Sequence, residues 1–132
     1  MVRDAIELQY LEYDATDSVG SVDIKKQVVT QANGIVLKNA FACKDNSLKI
    51  IVENTKAGAV TVTIKAGDKQ NAGLGDAKVA IKSSTTAVIA PYRDMARFEK
   101  NDGSIELDFS DGFTGNIYAV GERAGLRPVK TV

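Results

Sequence analysis

The sequence has no histidine and no tryptophan, and a single cysteine, Cys43, among its 132 residues. Without histidine, Ser-His-Asp and Cys-His catalysis, imidazole-ligated metal sites and imidazole proton shuttles are excluded together. One cysteine can form neither an internal disulfide nor a thiolate-based zinc site. Its setting, Ala40-Phe41-Ala42-Cys43, suits a small core hydrophobe, and a nucleophile there would have no imidazole base. Charge of one sign is also missing: 17 Lys plus Arg balance 17 Asp plus Glu. A generic binder of nucleic acid or membrane surfaces would carry a basic surplus. No apolar run approaches the roughly 18–20 residues of a membrane span. What is present is one ordinary domain's length of chain with 44% hydrophobic residues, enough for a core and too apolar for disorder.

The opening stretch, MVRDAIELQYLEYDATD, lacks the uninterrupted apolar segment of a secretory signal, because Asp4, Glu7 and Glu12 break it. Synthesis in a cytoplasm is expected, which an unpaired cysteine suits. From there on the dominant signal is a period of two. Val60–Ala66 and Ala77–Lys82 alternate apolar with polar residues. In Ser104–Ser110, Ile105, Leu107 and Phe109 alternate with Glu106 and Asp108. That is the pattern of half-buried antiparallel strands, whose successive side chains point to opposite faces. Leu48–Glu53 is more continuously apolar and predicts a strand covered on both faces.

Turn residues separate these runs at Asn54–Gly58, Ser83-Ser84, Asn101-Asp102-Gly103 and Asp111–Gly115. Asn101-Asp102-Gly103 predicts a hairpin between a strand over 95–100 and the next over 104–110. Strands are further expected near 24–30, 35–38, 48–53, 60–66, 77–82, 85–90 and 115–121. Turns at this spacing mark an all-β sandwich or barrel of about eight strands. The Gly-rich connection 67–75 is longer and reads as an exposed excursion, suited to a crossing between sheets. The expected organisation is an N-terminal arm or edge segment over 1–23, a β-sandwich domain over 24–121 and a C-terminal tail over 122–132. The arm is acidic (Asp4, Glu7, Glu12, Asp14, Asp17 and Asp23 against Arg3), and the tail is basic.

Several clusters invite a chemical reading. Glu106 and Asp108 share a strand face and have the spacing of a glycosidase pair, but solvated strand faces commonly carry such charges. Asp68, Asn71 and Asp76 could offer oxygen ligands to calcium, yet they fit no EF-hand spacing and are ordinary turn formers. Arg93 and Arg97 with Tyr92 and Phe98 could stack on single-stranded nucleic acid, but Asp94 and Glu99 interleave, and an ion-paired strand is the better reading. Phe113 and Tyr118 suit either a core or a contact patch. No catalytic residue, metal site or cofactor is assigned.

Two stretches carry a resemblance: LKIIVENTKAGAVTVTIKAGDKQNAGLGD (48–76) and ARFEKNDGSIELDFSDGFTGNIYAVG (96–121). Their succession of strand, N-T turn, TVTIKAGD, Gly-rich loop, ARFEKxDGSI and FTGxI resembles small structural proteins encoded in phage and prophage head gene clusters. The likeness covers about two thirds of the chain and contains no catalytic signature. It implies an immunoglobulin-like antiparallel β-sandwich that decorates or cements a capsid by binding the major capsid protein lattice. The expected location is then the virion surface, with self-association (a trimer among the options) and no nucleic-acid or membrane partner. Partner contacts are assigned to the arms: Ile6, Leu8, Tyr10, Tyr13, Arg123, Arg127 and Lys130. The alternatives are a tail or baseplate component, or a small carbohydrate- or calcium-binding β-sandwich module.

Overall fold

Period-two hydrophobicity becomes an all-β architecture. A computed structural model describes residues 2–13, 19–44, 46–91 and 95–123. In chain order its elements are β1 (Asp4–Tyr10), β2 (Glu12–Tyr13), β3 (Gly20–Ser21), β4 (Gln27–Val28), β5 (Ile35–Lys38), β6 (Lys49–Asn54), β7 (Val60–Ile64), β8 (Ala77–Ile81), β9 (Thr86–Ile89), α1 (Met95–Phe98), β10 (Ile105–Phe109) and β11 (Gly115–Gly121). One mixed, nearly barrel-like sheet runs in the order β8-β7-β10-β5-β1-β11-β6-β9, with β4 also paired to β11; β2 and β3 form a separate ribbon.

The strand that joins the two halves is β1. Its first part pairs with β5, Asp4 opposite Ile35 through Glu7 opposite Lys38. Its second part pairs with β11, Leu8 opposite Ala119 through Tyr10 opposite Gly121. The inward side chains of both halves meet in one core. Val62, Ile105, Leu107, Ile35 and Leu37 come from one half, and Ile50, Val52, Ile117 and Ala119 from the other, each fully buried. Burying one such branched side chain is worth about 1.5–3 kcal/mol, so this shared core is the main stabilising element. On β6, Ile50 and Val52 face the core while Ile51 is covered on the opposite face, as the continuous apolar run predicts.

Four expectations need correction. The sheet is not wholly antiparallel, because β1 runs parallel to both neighbours. Alternation reports which face a residue takes, not the direction of the neighbouring strand. Residues 4–10 are not an arm either. Ile6 and Leu8 are 7% and 8% exposed, and they enter the core with the same alternation as the later strands. The segment expected as a strand over 95–100 is instead the helical turn α1, closed by the Glu99 N–H donating to the Met95 carbonyl at 2.9 Å. Met, Ala and Arg are good helix formers, and four residues are too few for period alone to separate a strand from one helical turn. Asn101-Asp102-Gly103 is therefore a turn leading from α1 into β10 rather than a hairpin, with Gly103 at φ +84°.

The fourth correction concerns the crossings. The long Gly-rich connection joins β7 to β8, which are direct neighbours. The short turns 55–59, 82–85 and 110–114 each pass between the two halves of the sheet, as do the longer connections 39–48 and 90–104.

Candidate functional site

The excursion between β7 and β8 is built as a fixed loop against α1. The Gly67 N–H donates to the Arg97 carbonyl (2.8 Å), the Asp68 N–H to the Glu99 carbonyl (2.9 Å) and the Asn71 N–H to the Ala96 carbonyl (3.0 Å). Carbonyls that a one-turn helix leaves unsatisfied thereby find donors in the loop. Arg97 returns the interaction. Its Nε donates to the Gly75 carbonyl at 2.8 Å and its Nη2 to the Asp76 carbonyl at 2.9 Å. Gly67 allows the close approach, since a Cβ there would lie 2.2 Å from the Glu99 carbonyl oxygen. A one-turn 3-10 helix, Ala72–Leu74, forms the tip.

Charge fastens the base of the same loop. Lys65 Nζ donates to Asp76 Oδ2 at 2.8 Å, and the Ala66 N–H donates to Asp76 Oδ1 at 2.7 Å. The Lys65 hydrogen bond, helped by that backbone N–H, holds the Asp76 carboxyl below the ordinary aspartate range. The same hydrogen bond raises the Lys65 ammonium above its ordinary value. At the start of the loop, Asp68 Oδ2 accepts from the Asn101 N–H at 2.9 Å, and Lys100 lies 3.8 Å from Asp68 Oδ1. On this fixed base two large apolar side chains stay in solvent: Leu74, 65% exposed, and Met95, 40% exposed. An open depression of about 350 Å3 lies beside Met95, lined by Lys69, Gln70, Met95, Ala96 and Glu99. The arrangement presents an apolar point on a positioned loop, which suits recognition of another protein surface.

The carboxylates considered for chemistry are engaged elsewhere. Arg3 donates to Asp108 and lies 3.5 Å from Glu106, while Lys100 reaches Glu106 at 3.8 Å and Lys65 reaches Asp108 at 4.0 Å. Glu106 and Asp108 are thus members of an ion-pair lattice on the outer face of β10. Asp68 and Asp76 bond to different partners, and among the described residues no group of three or more His, Cys, Asp or Glu is placed to hold a metal ion. Of the set considered for base stacking, Tyr92 and Arg93 lie outside the described residues, Arg97 holds the loop, and Phe98 is buried. Cys43 is buried, in line with its reading as a core residue. Phe113 is also core, against Phe109 at a centroid distance of 4.7 Å.

Among the residues assigned to partner contact, Ile6 and Leu8 are buried, 7% and 8% exposed. Tyr10 and Arg123 are brought together by the parallel pairing of β1 with β11, the Arg123 guanidinium 4.4 Å from the Tyr10 ring centroid. Tyr13 pairs with Gly20 in the β2–β3 ribbon, and Arg127 and Lys130 lie outside the described residues. Leu74, Met95 and Val88 were not singled out in the sequence. The available signal was a large apolar residue between two glycines, Gly73-Leu74-Gly75, inside a polar loop.

No model of a protein family, no curated protein and no solved structure matches the chain significantly.

Proposed function

We propose that this is a non-enzymatic virion structural protein that decorates or cements a phage capsid by binding the outer surface of the major capsid protein lattice. The observation that carries the reading is the excursion on α1, which keeps Leu74 and Met95 in solvent on a base cross-bonded by Arg97, Asp76 and Asp68. A long loop bonded this closely need lose little entropy on docking, and repeated symmetric sites on a shell multiply a modest single contact. The two stretches that resemble head-cluster proteins supply the two halves of this unit: 48–76 contributes the loop and 96–121 contributes Arg97. We read the halves of the sheet as layers of an immunoglobulin-like sandwich with β1 passing from one layer to the other; the support is the core that both share.

Co-sedimentation with shells that lack the protein tests this directly. Saturable binding is expected, with Leu74→Asp weakening it at unchanged thermal stability, because that side chain is solvated in the free protein. Wild-type protein that stays in the supernatant would overturn the proposal. Binding to purified tails in place of shells would move the protein to a tail or baseplate role.

A further inference from the structure

The two ends of the sheet are unlike. At one end, β8 carries the exposed Lys78 and is followed by exposed Lys82, charges that discourage pairing with another strand. At the other end, the chain from Ser83 to Pro91 has no charged side chain, and Val88 in the middle of β9 is 62% exposed. Among the described residues β9 pairs only with β6, and no described strand lies along its second edge.

The phase of the β6–β9 ladder shows which backbone groups that edge presents. The Asn54 N–H donates to the Thr85 carbonyl at 3.0 Å. In an antiparallel pair the bonded positions alternate, so Ala87, opposite Val52, and Ile89, opposite Ile50, also turn their N–H and C=O groups toward β6. Thr86, Val88 and Ala90 then turn theirs outward. On the face of this half-sheet away from the shared core Val88 stands opposite the covered Ile51, and Ile51 opposite the half-buried Tyr118, a single row across the strands.

We propose that β9 pairs antiparallel with β9 of a second copy of this chain, about a two-fold axis that places Val88 opposite Val88. Two conditions meet in this register. Side chains opposite one another must lie on the same face, which requires the axis to pass through a residue position. The facing backbone groups must also be the outward ones, which Val88 opposite Val88 and Thr86 opposite Ala90 satisfy. The partner is a second copy because the edge is self-complementary and uncharged, so the pairing opposes no like charges. The row Tyr118–Ile51–Val88 then continues into its own copy. A two-fold contact of this kind closes at two subunits. It stands independently of shell binding, since it is read on the purified chain alone.

Sedimentation velocity of the full chain over a concentration series is the test. A monomer–dimer equilibrium is expected, and Val88→Lys should raise its dissociation constant roughly tenfold or more, because it sets two ammonium groups opposite one another. Its circular dichroism melt should match the wild type, since residue 88 is solvated in the monomer. In a second variant, Val88→Cys, the paired Cα atoms would stand about 5.5 Å apart, within disulfide reach. Oxidation should link that variant into dimers and leave Lys78→Cys, on the opposite edge, unlinked. A wild-type chain that remains monomeric, a trimer, a dimer indifferent to Val88→Lys, or a failure of Val88→Cys to cross-link would each overturn the proposal. None of these outcomes bears on whether the protein binds shells.

Discussion

Arg97 and Gly75, 22 residues apart in the chain, are joined by a 2.8 Å hydrogen bond from the guanidinium Nε to the glycine carbonyl. The neighbouring Nη2 takes the next carbonyl, that of Asp76, at 2.9 Å. The planar fork of arginine fits two successive carbonyls, and the single ammonium of lysine does not. Arg97→Ala should cost about 1.5–3 kcal/mol in urea unfolding, the range for hydrogen bonds that involve a charged group. Arg97→Lys should recover less than half of that loss. Hydrogen exchange localises the effect: the Gly67, Asp68 and Asn71 amides, which donate to the carbonyls of Arg97, Glu99 and Ala96, should exchange faster in both variants.

Acid should loosen the same loop before it unfolds the sheet. The Asp76 carboxyl is held below its ordinary value by Lys65 and by the Ala66 N–H. A depressed carboxyl contributes stability above the unfolded-state value and loses it as pH falls through the folded-state value. The window is therefore acidic, beginning near about pH 4. Lys65 is raised, so its share is present below the ordinary lysine value and is lost only in strong alkali. The protection factor of the Ala66 amide, its exchange relative to the intrinsic rate at each pH, should fall below that point. Asp76→Asn should show low protection of that amide already at neutral pH and no such step.

Two glycines of the same loop should respond in opposite ways. A Cβ at Gly67 would lie 2.2 Å from the Glu99 carbonyl oxygen, whereas one at Gly73 meets nothing within 4 Å. Gly67→Ala should destabilise by about 1–3 kcal/mol, the usual cost of overpacking. Gly73→Ala should stay within about 0.5 kcal/mol of wild type. Paired urea titrations measure both, with an unchanged m-value expected for each.

The N-terminal strand has its own test. Leu8→Ala removes a side chain that is 8% exposed and should cost about 2–4 kcal/mol. A free arm would show no loss. Tyr10 with Arg123 is a smaller contribution: a double-mutant cycle to alanine should give a coupling of about 0.5–1 kcal/mol, as for an exposed cation–π pair.

Much of this architecture was legible in the residues, for a physical reason. A half-buried strand must alternate, so β7, β8 and β10 stand out in Val60–Ala66, Ala77–Lys82 and Ser104–Ser110. Ile6, Leu8 and Tyr10 alternate with Glu7 and Gln9 in the same way, but the acidic count of the first 23 residues directs attention to an arm. Strand direction leaves no trace in alternation, because parallel and antiparallel neighbours place the same residues inward. The parallel pairings of β1 are therefore visible only in the fold. The candidate site was less legible still. Arg97 alternates with Ala96 and Phe98 as a strand residue would, and its hydrogen bonds reach carbonyls far along the chain, which no local pattern encodes.

A density map of capsids reconstituted with the purified protein tests the central claim most directly. The expected result is an added β-domain repeated on the shell's symmetry, with residues 67–76 and Met95 against the capsid surface. Shells that show no ordered added density, or a domain that contacts the lattice without this loop, would contradict it.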